Sequence, residues 1–241
     1  MRLNKVDFRL MYDLYQREPN HNLFKNFIQR QDDYLAMSFA KWILKNDLDM
    51  LEFLIDITAI DAYNSRNLSM IHAYKGREIP EKLIKGVIRA GPEVAQGFLG
   101  ELMPHVGSIE KVHPKVFETI AESPKESYYT YKDLKRINLE APEILIKSIC
   151  TDMRFLQQYA MDIFRRNETF PEIVLRSISV DPRSSYNLVR ILKTMKQPVP
   201  DFLIKSAKRY SNPLMQSDEK YRNDITEEST NYFQRIYDVL Q

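Results

Sequence analysis

Apolar positions in the second half of the chain recur as a helical stripe that restarts at proline. Five segments carry it: PEKLIKGV from Pro80, PKVFETIA from Pro114, PEILIKSI from Pro142, PEIVLRSI from Pro171 and PDFLIKSA from Pro200. The apolar residues fall two, three, four and seven places after the proline, as in Ile144, Leu145, Ile146 and Ile149. That is a broad α-helical stripe with none of a strand's alternation. The openings lie 34, 28, 29 and 29 residues apart. Proline suits the first helical position, where its missing N–H costs nothing and its φ is already helical. An acid follows it in four of the five segments, favourable at the positive end of the helix dipole. Six places on, Gly86, Ser148, Ser177 and Ser206 are small, which lets a neighbouring helix approach closely.

A second landmark falls inside the units. Pro92, Pro124, Pro182 and Pro213 lie 12, 10, 11 and 13 residues after their opening prolines. Each break stops the first helix, because proline disfavours a helical residue before it. A second helix follows, as at 185–196, where Tyr186, Leu188, Val189, Leu192 and Met195 are apolar. Tyr128, Tyr159 and Tyr186 all stand after the break. A hairpin of two short helices cannot bury both faces alone, so copies must stack. The expected fold is therefore all-α, a right-handed α-solenoid of helical hairpins about 29 residues long. An N-terminal helical region precedes it and a capping helix over 226–241, with Phe233, Ile236, Tyr237 and Leu240 on one face, ends it. The chain divides on this reading into a subdomain over 1–76 and a repeat array over 77–241. Helices are expected near 5–16, 22–30, 33–45 and 48–57, and 47–79 reads as a degenerate first unit with Tyr63 in the tyrosine position. All six glycines lie between Gly76 and Gly107. Glycine weakens a helix by about 1 kcal/mol against alanine, so the second helix of that unit is expected to be the weakest, with a bend or close packing there.

These units resemble HEAT-like helical repeats of the α-solenoid type. More narrowly, PEIVLRSISVDPRSSYNLVRILK looks like the proline-started tandem repeats of uncharacterised tailed-phage proteins. The likeness spans roughly residues 80–213, is one of packing, and carries no functional residues across. Segment 114–141 departs from it, with Lys115 and Glu118 where the other units prefer acidic and apolar residues. What the resemblance implies is a role toward a host protein, in the host cytoplasm.

Composition removes several classes. The chain has 241 residues, 44% hydrophobic and 28% charged, with a formal net charge of +2. That is ordinary for a folded soluble chain and advertises no whole-molecule field for nucleic acid or membrane. The single Cys150 excludes an internal disulfide and a cysteine-rich zinc site. No signal peptide and no membrane span is read, so the expected location is cytoplasmic. His21, His72, His105 and His113 form no metal-ligand spacing, and no phosphate loop or nucleophile motif is present. No catalytic residue, metal or cofactor is nominated, and the chain is read as a non-enzyme.

The candidate interaction residues are cations and tyrosines. Lys85, Lys147, Arg176 and Lys205 recur five places after an opening proline, a ladder that could meet phosphates or acidic side chains. Each follows an acid by four residues (Glu81, Glu143, Glu172, Asp201), so a solvated i,i+4 ion pair is the simpler account. Between Lys147 and Arg209 twelve basic residues face six acidic ones, a net of +6, while 218–241 carries a net of −3. Arg165, Arg166, Lys193, Lys196, Lys208 and Arg209 gather near helix ends, where they complement the dipole or form a basic face. Tyr128, Tyr129 and Tyr131 form an aromatic anchor or pack the second helix. The expectation is a scaffold for a protein partner. The alternative is a helical-repeat protein that binds nucleic acid through the basic face of 147–209.

Overall fold

The computed structural model describes residues 7–31 and 33–210. The capping helix expected over 226–241, and Pro213, lie outside them. Among the described residues there are fourteen α-helices, one 3₁₀ turn (Ile109–Lys111) and no strand, an all-α arrangement. Contacts divide it into two units, 1–145 and 146–241. The boundary expected after residue 76 falls inside the first.

In unit 1, helices α1 (Phe8–Arg17), α2 (His21–Gln31) and α3 (Asp33–Lys45) precede three short–long pairs. These are α4 (Glu52–Thr58) with α5 (Ala62–Tyr74), α6 (Glu81–Ile88) with α7 (Pro92–Val106), and α8 (Pro114–Ile120) with α9 (Pro124–Arg136). Helix α10 (Glu143–Ile149) spans the boundary, and unit 2 continues with α11 (Met153–Arg165), α12 (Glu172–Ile178), α13 (Pro182–Thr194) and α14 (Asp201–Tyr210). From α4 onward the short helices start 29, 33, 29, 29 and 29 residues apart, and four of the five long ones have thirteen residues. The four extra residues sit around α7, which is fifteen long. The segment read as degenerate is thus a full copy in its helix bounds: α4 and α5 match α12 and α13 at an offset of 120.

Two of the opening prolines cap their helices instead of beginning them. Pro80 and Pro171 are N-caps, with ψ of 133° and 142°, not first helical residues. Their carbonyls accept the first intrahelical bonds, from Leu83 and Ile84 and from Val174 and Leu175. The acid that follows therefore occupies the first helical position itself. The inner prolines Pro92, Pro124 and Pro182 are the ones that open helices. Pro114 also opens its helix, with His113 as the cap. Its unit is one residue out of step with the others, and that explains the departures at Lys115 and Glu118. Counted from His113, Val116, Phe117 and Ile120 fall in the buried places, and Glu118 falls where Lys85 and Arg176 stand.

The long helices end alike. Asp47, Gly76, Gly107, Asn138, Asn167 and Lys196 all have φ between 55° and 67°. The residue after five of them returns its N–H to a carbonyl five residues back: Leu48 to Ile43, Arg77 to His72, Leu139 to Leu134, Glu168 to Ile163 and Gln197 to Leu192. This left-handed cap satisfies carbonyls that the helix end would leave orphaned.

Consecutive hairpins touch through repeated contacts within each unit. In unit 1, a Cβ on Gly86 would overlap the Ser65 hydroxyl and come within 2.8 Å of the Ala59 carbonyl. In unit 2, Ser206 at the same place donates to the Ser179 carbonyl at 2.6 Å and meets the Ser185 hydroxyl at 2.9 Å. Ser65 and Ser185 in turn hydrogen-bond to Thr58 and Ile178, each seven residues earlier. At the hairpin ends Arg77 donates to the Leu48 carbonyl at 2.7 Å, and Gln197 to the Glu168 carbonyl at 2.9 Å. Buried Phe39, Phe53, Leu54 and Leu68 anchor one core cluster of unit 1, and Phe98, Leu99, Ile120 and Leu134 another. Leu156, Ile163, Val174, Leu188 and Leu203 are buried in unit 2.

Candidate interaction surface

The short helices put their cations outward. Lys85, Lys147, Arg176 and Lys205 are all exposed. Lys85 pairs with Glu81 at 2.8 Å and Arg176 with Glu172 at 2.6 Å, each the i,i+4 partner. Arg176 also lies over the Phe202 ring at 4.9 Å. Lys205 pairs with no described carboxylate. For Lys85 and Arg176, at least, the ladder is a set of surface ion pairs, each worth a few tenths of a kcal/mol.

Further ion pairs run between helices, and spacing alone did not reveal them. Lys82 on α6 reaches Asp56 at 2.6 Å and Glu52 at 3.0 Å, both on α4. His21 on α2 meets the other Asp56 oxygen at 3.1 Å. Burial works to raise the pKa of Asp56, but the hydrogen bond and charge of Lys82, with the charge of Lys25 and the His21 hydrogen bond, together hold the carboxyl below its ordinary value. The same contacts, with Asp56 first and Glu52 next, raise Lys82. On the long helices Arg66 grips Glu101 at 2.6 and 3.1 Å, and Gln96 reaches Asp133 at 3.1 Å. Both pairs join the fifth residue of one long helix to the tenth of the next.

The tyrosines separate. Tyr128 and Tyr131 are buried, which removes them from the candidate surface, while Tyr129 is 44% exposed. Tyr128 and Tyr186 hold the same place, four residues after the inner proline, but Tyr159 stands two places further along its helix. Tyr63 is outside that register too, second in α5. It is, however, 71% exposed, and Tyr74 on the same helix 62%. The sequence reading missed Tyr63 and Tyr74 as surface tyrosines, because their place follows from helix bounds that no proline marks.

Arg165, Arg166, Lys193 and Lys196 are exposed at the ends of α11 and α13. Arg165 approaches Asp162 at 3.9 Å, and Lys193 and Lys196 pair with no described carboxylate. His72 is buried, its Nδ1 against the Glu78 carbonyl at 3.0 Å and its Nε2 without a partner. Burial pushes its pKa down. Cys150 is half-buried, and burial pushes its thiol up, away from the reactive thiolate. His105 packs edge-on against Tyr74 at 4.2 Å. Among the described residues no cluster of His, Cys, Asp or Glu could hold a metal ion, and no helix is long and apolar enough to cross a membrane.

No protein-family model, curated protein or solved structure matches the chain.

Proposed function

We propose that the chain is a non-enzymatic binding scaffold, a right-handed α-solenoid of about 29-residue hairpins whose exposed long-helix faces meet a protein partner. The observation that carries this reading is the recurrence of the inter-hairpin contacts. Arg77 to Leu48 in unit 1 and Gln197 to Glu168 in unit 2 join the residues that follow the left-handed caps of successive long helices, and Gly86 with Ser65 and Ser206 with Ser185 join the same two places of consecutive hairpins. Stacking of that kind leaves one face of every long helix outward. Tyr63, Tyr74 and Tyr129 stand on those faces, and tyrosine is enriched at interface hot spots. The resemblance to phage repeats extends the reading to a host protein as partner, met in the host cytoplasm. Affinity capture from the source cells tests it. The expected result is one protein retained in near-stoichiometric amount, and lost when Tyr63, Tyr74 and Tyr129 are replaced by serine. Absence of any stoichiometric protein contradicts the reading.

The net charge of +6 between Lys147 and Arg209 favours a second reading, binding to a nucleic-acid backbone. It requires retention of duplex or single strands that weakens steeply with salt. A gel shift at low ionic strength that shows no retardation removes it.

A further inference from the structure

We propose that the edge of unit 2 where α11 and α13 end docks an acidic protein segment through Arg165, Lys193 and Lys196; the proposal rests on the scaffold reading above. The two helix ends lie together, because the Gln197 side chain after α13 donates to the Glu168 carbonyl after α11 at 2.9 Å. All three cations are exposed there.

Unit 1 supplies an internal comparison. On α9, Lys135 and Arg136 hold the places that Lys193 and Arg165 hold on α13 and α11. Lys135 is met by Glu140 at 2.7 and 3.0 Å, and Arg136 by Asp133 at 3.0 Å. In unit 2 the place of Glu140 is taken by Pro198, so Lys193 has lost its carboxylate. Asp162 stands where Asp133 does, but reaches Arg165 only at 3.9 Å. The chain thus neutralises both cations closely in unit 1, whereas in unit 2 Lys193 pairs with no described carboxylate and Arg165 keeps only the longer pair with Asp162.

Lys196 is an independent observation. It has φ of 55°, in the left-handed region, where the other long helices place Asp47, Gly76, Gly107, Asn138 and Asn167. Lysine is disfavoured there, and no ion pair with a described residue offsets the strain. The cap explains the left-handed conformation but not the choice of lysine for it, and the charge that lysine brings to this edge suits a partner outside the chain.

The choice of carboxylates over phosphates follows from the same comparison. At the matching places in unit 1 the partner of each cation is a carboxylate. The edge also carries acids of its own, Asp162 and Glu168, spaced among the cations. Discrete carboxylates can be placed between them, whereas a nucleic-acid strand presents a closely spaced row of phosphates that would meet both.

The test uses the full chain and a fluorescein-labelled peptide whose glutamates are spaced by glycine and serine, read by anisotropy at about 50 mM salt, where surface charge is weakly screened. One variant combines Arg165→Gln, Lys193→Gln and Lys196→Gln. A control combines Lys82→Gln, Lys85→Gln and Lys115→Gln, an equal loss of charge from the short helices of unit 1, and circular dichroism checks that both remain folded. The expected result is saturable binding by the natural chain, weakened about tenfold in the first variant and less than about twofold in the control. No saturable binding, an equal loss in both variants, or tighter binding of an oligonucleotide of about 20 residues overturns the proposal. None of these outcomes bears on whether a protein is captured from cells, so this edge and the scaffold reading fail separately.

Discussion

Alanine in place of glycine separates two kinds of glycine in this chain. At Gly86 the added methyl overlaps the Ser65 hydroxyl and lies 2.8 Å from the Ala59 carbonyl and 2.9 Å from Ser65 Cβ. The hydroxyl cannot turn aside freely, since it is buried and bonded to the Thr58 and Asp61 carbonyls at 3.0 and 2.7 Å. Overpacking of this kind costs about 3 kcal/mol at its upper range. The gain in helix propensity offsets about 1 kcal/mol of it, which leaves Gly86→Ala less stable by about 2 kcal/mol. At Gly100, exposed on α7, nothing lies within 4 Å of the added methyl. Only the propensity term acts there, so Gly100→Ala gains about 1 kcal/mol. Urea unfolding of the full chain should show the midpoint of Gly86→Ala about 1 M below the parent and that of Gly100→Ala above it. Adding Ser65→Ala to Gly86→Ala removes the overlapping hydroxyl and recovers part of the loss, a coupling a double-mutant cycle measures. If the two glycine variants move the midpoint alike, the close approach of α6 to α5 is refuted.

Three further outcomes are expected. Lys196→Gly relieves a left-handed lysine and stabilises the chain by about 1 kcal/mol in the same unfolding assay; a destabilised variant contradicts the conformation assigned to that cap. His72 is held neutral by burial with its pKa lowered from 6.5, so the unfolded chain binds the extra proton. Stability is then lost as pH falls below 6.5 toward the lowered value, and unfolding midpoints across that range should vary less in His72→Gln. Asp56, its pKa lowered from 3.8, stabilises the fold above that pH and loses the contribution as pH falls through the lowered value. Asp56→Asn should flatten that acid limb, and an unchanged limb would count against the Lys82 contact.

The sequence showed the helices and their spacing because repetition averages out local ambiguity: one hairpin proves little, but five with aligned prolines leave few alternatives. What it misplaced were registers of a single residue. Proline is compatible both with a cap, where φ near −60° and an extended ψ suffice, and with the first helical turn. Only the bonds accepted by the Pro80 and Pro171 carbonyls tell the two apart. The copy over 52–74 read as degenerate because Leu51 replaces the opening proline, although Leu51 is extended (φ −80°, ψ 130°) like the proline caps. The left-handed caps were legible in Gly76, Gly107, Asn138 and Asn167 but were hidden by Lys196, which breaks the residue preference while keeping the conformation. Among candidate surface residues, Tyr128 and Tyr131 could not be told from Tyr129, since which side of a helix is covered depends on the next hairpin. The cross-helix pairs of Lys82 and Arg66 join residues 26 to 35 apart, beyond the reach of any local pattern.

Within each unit, consecutive hairpins are proposed to lie side by side in a row, and electron–electron distances between spin labels at one repeat position test this most directly. Asn67, Gly97 and Tyr129 each stand sixth in the three long helices of unit 1. With about 10 Å per hairpin, the 67–97 pair should give about 10 Å and the 67–129 pair, two hairpins apart, about 20 Å. A 67–129 distance no longer than the 67–97 distance contradicts the row and, with it, the long-helix face on which the binding proposal stands.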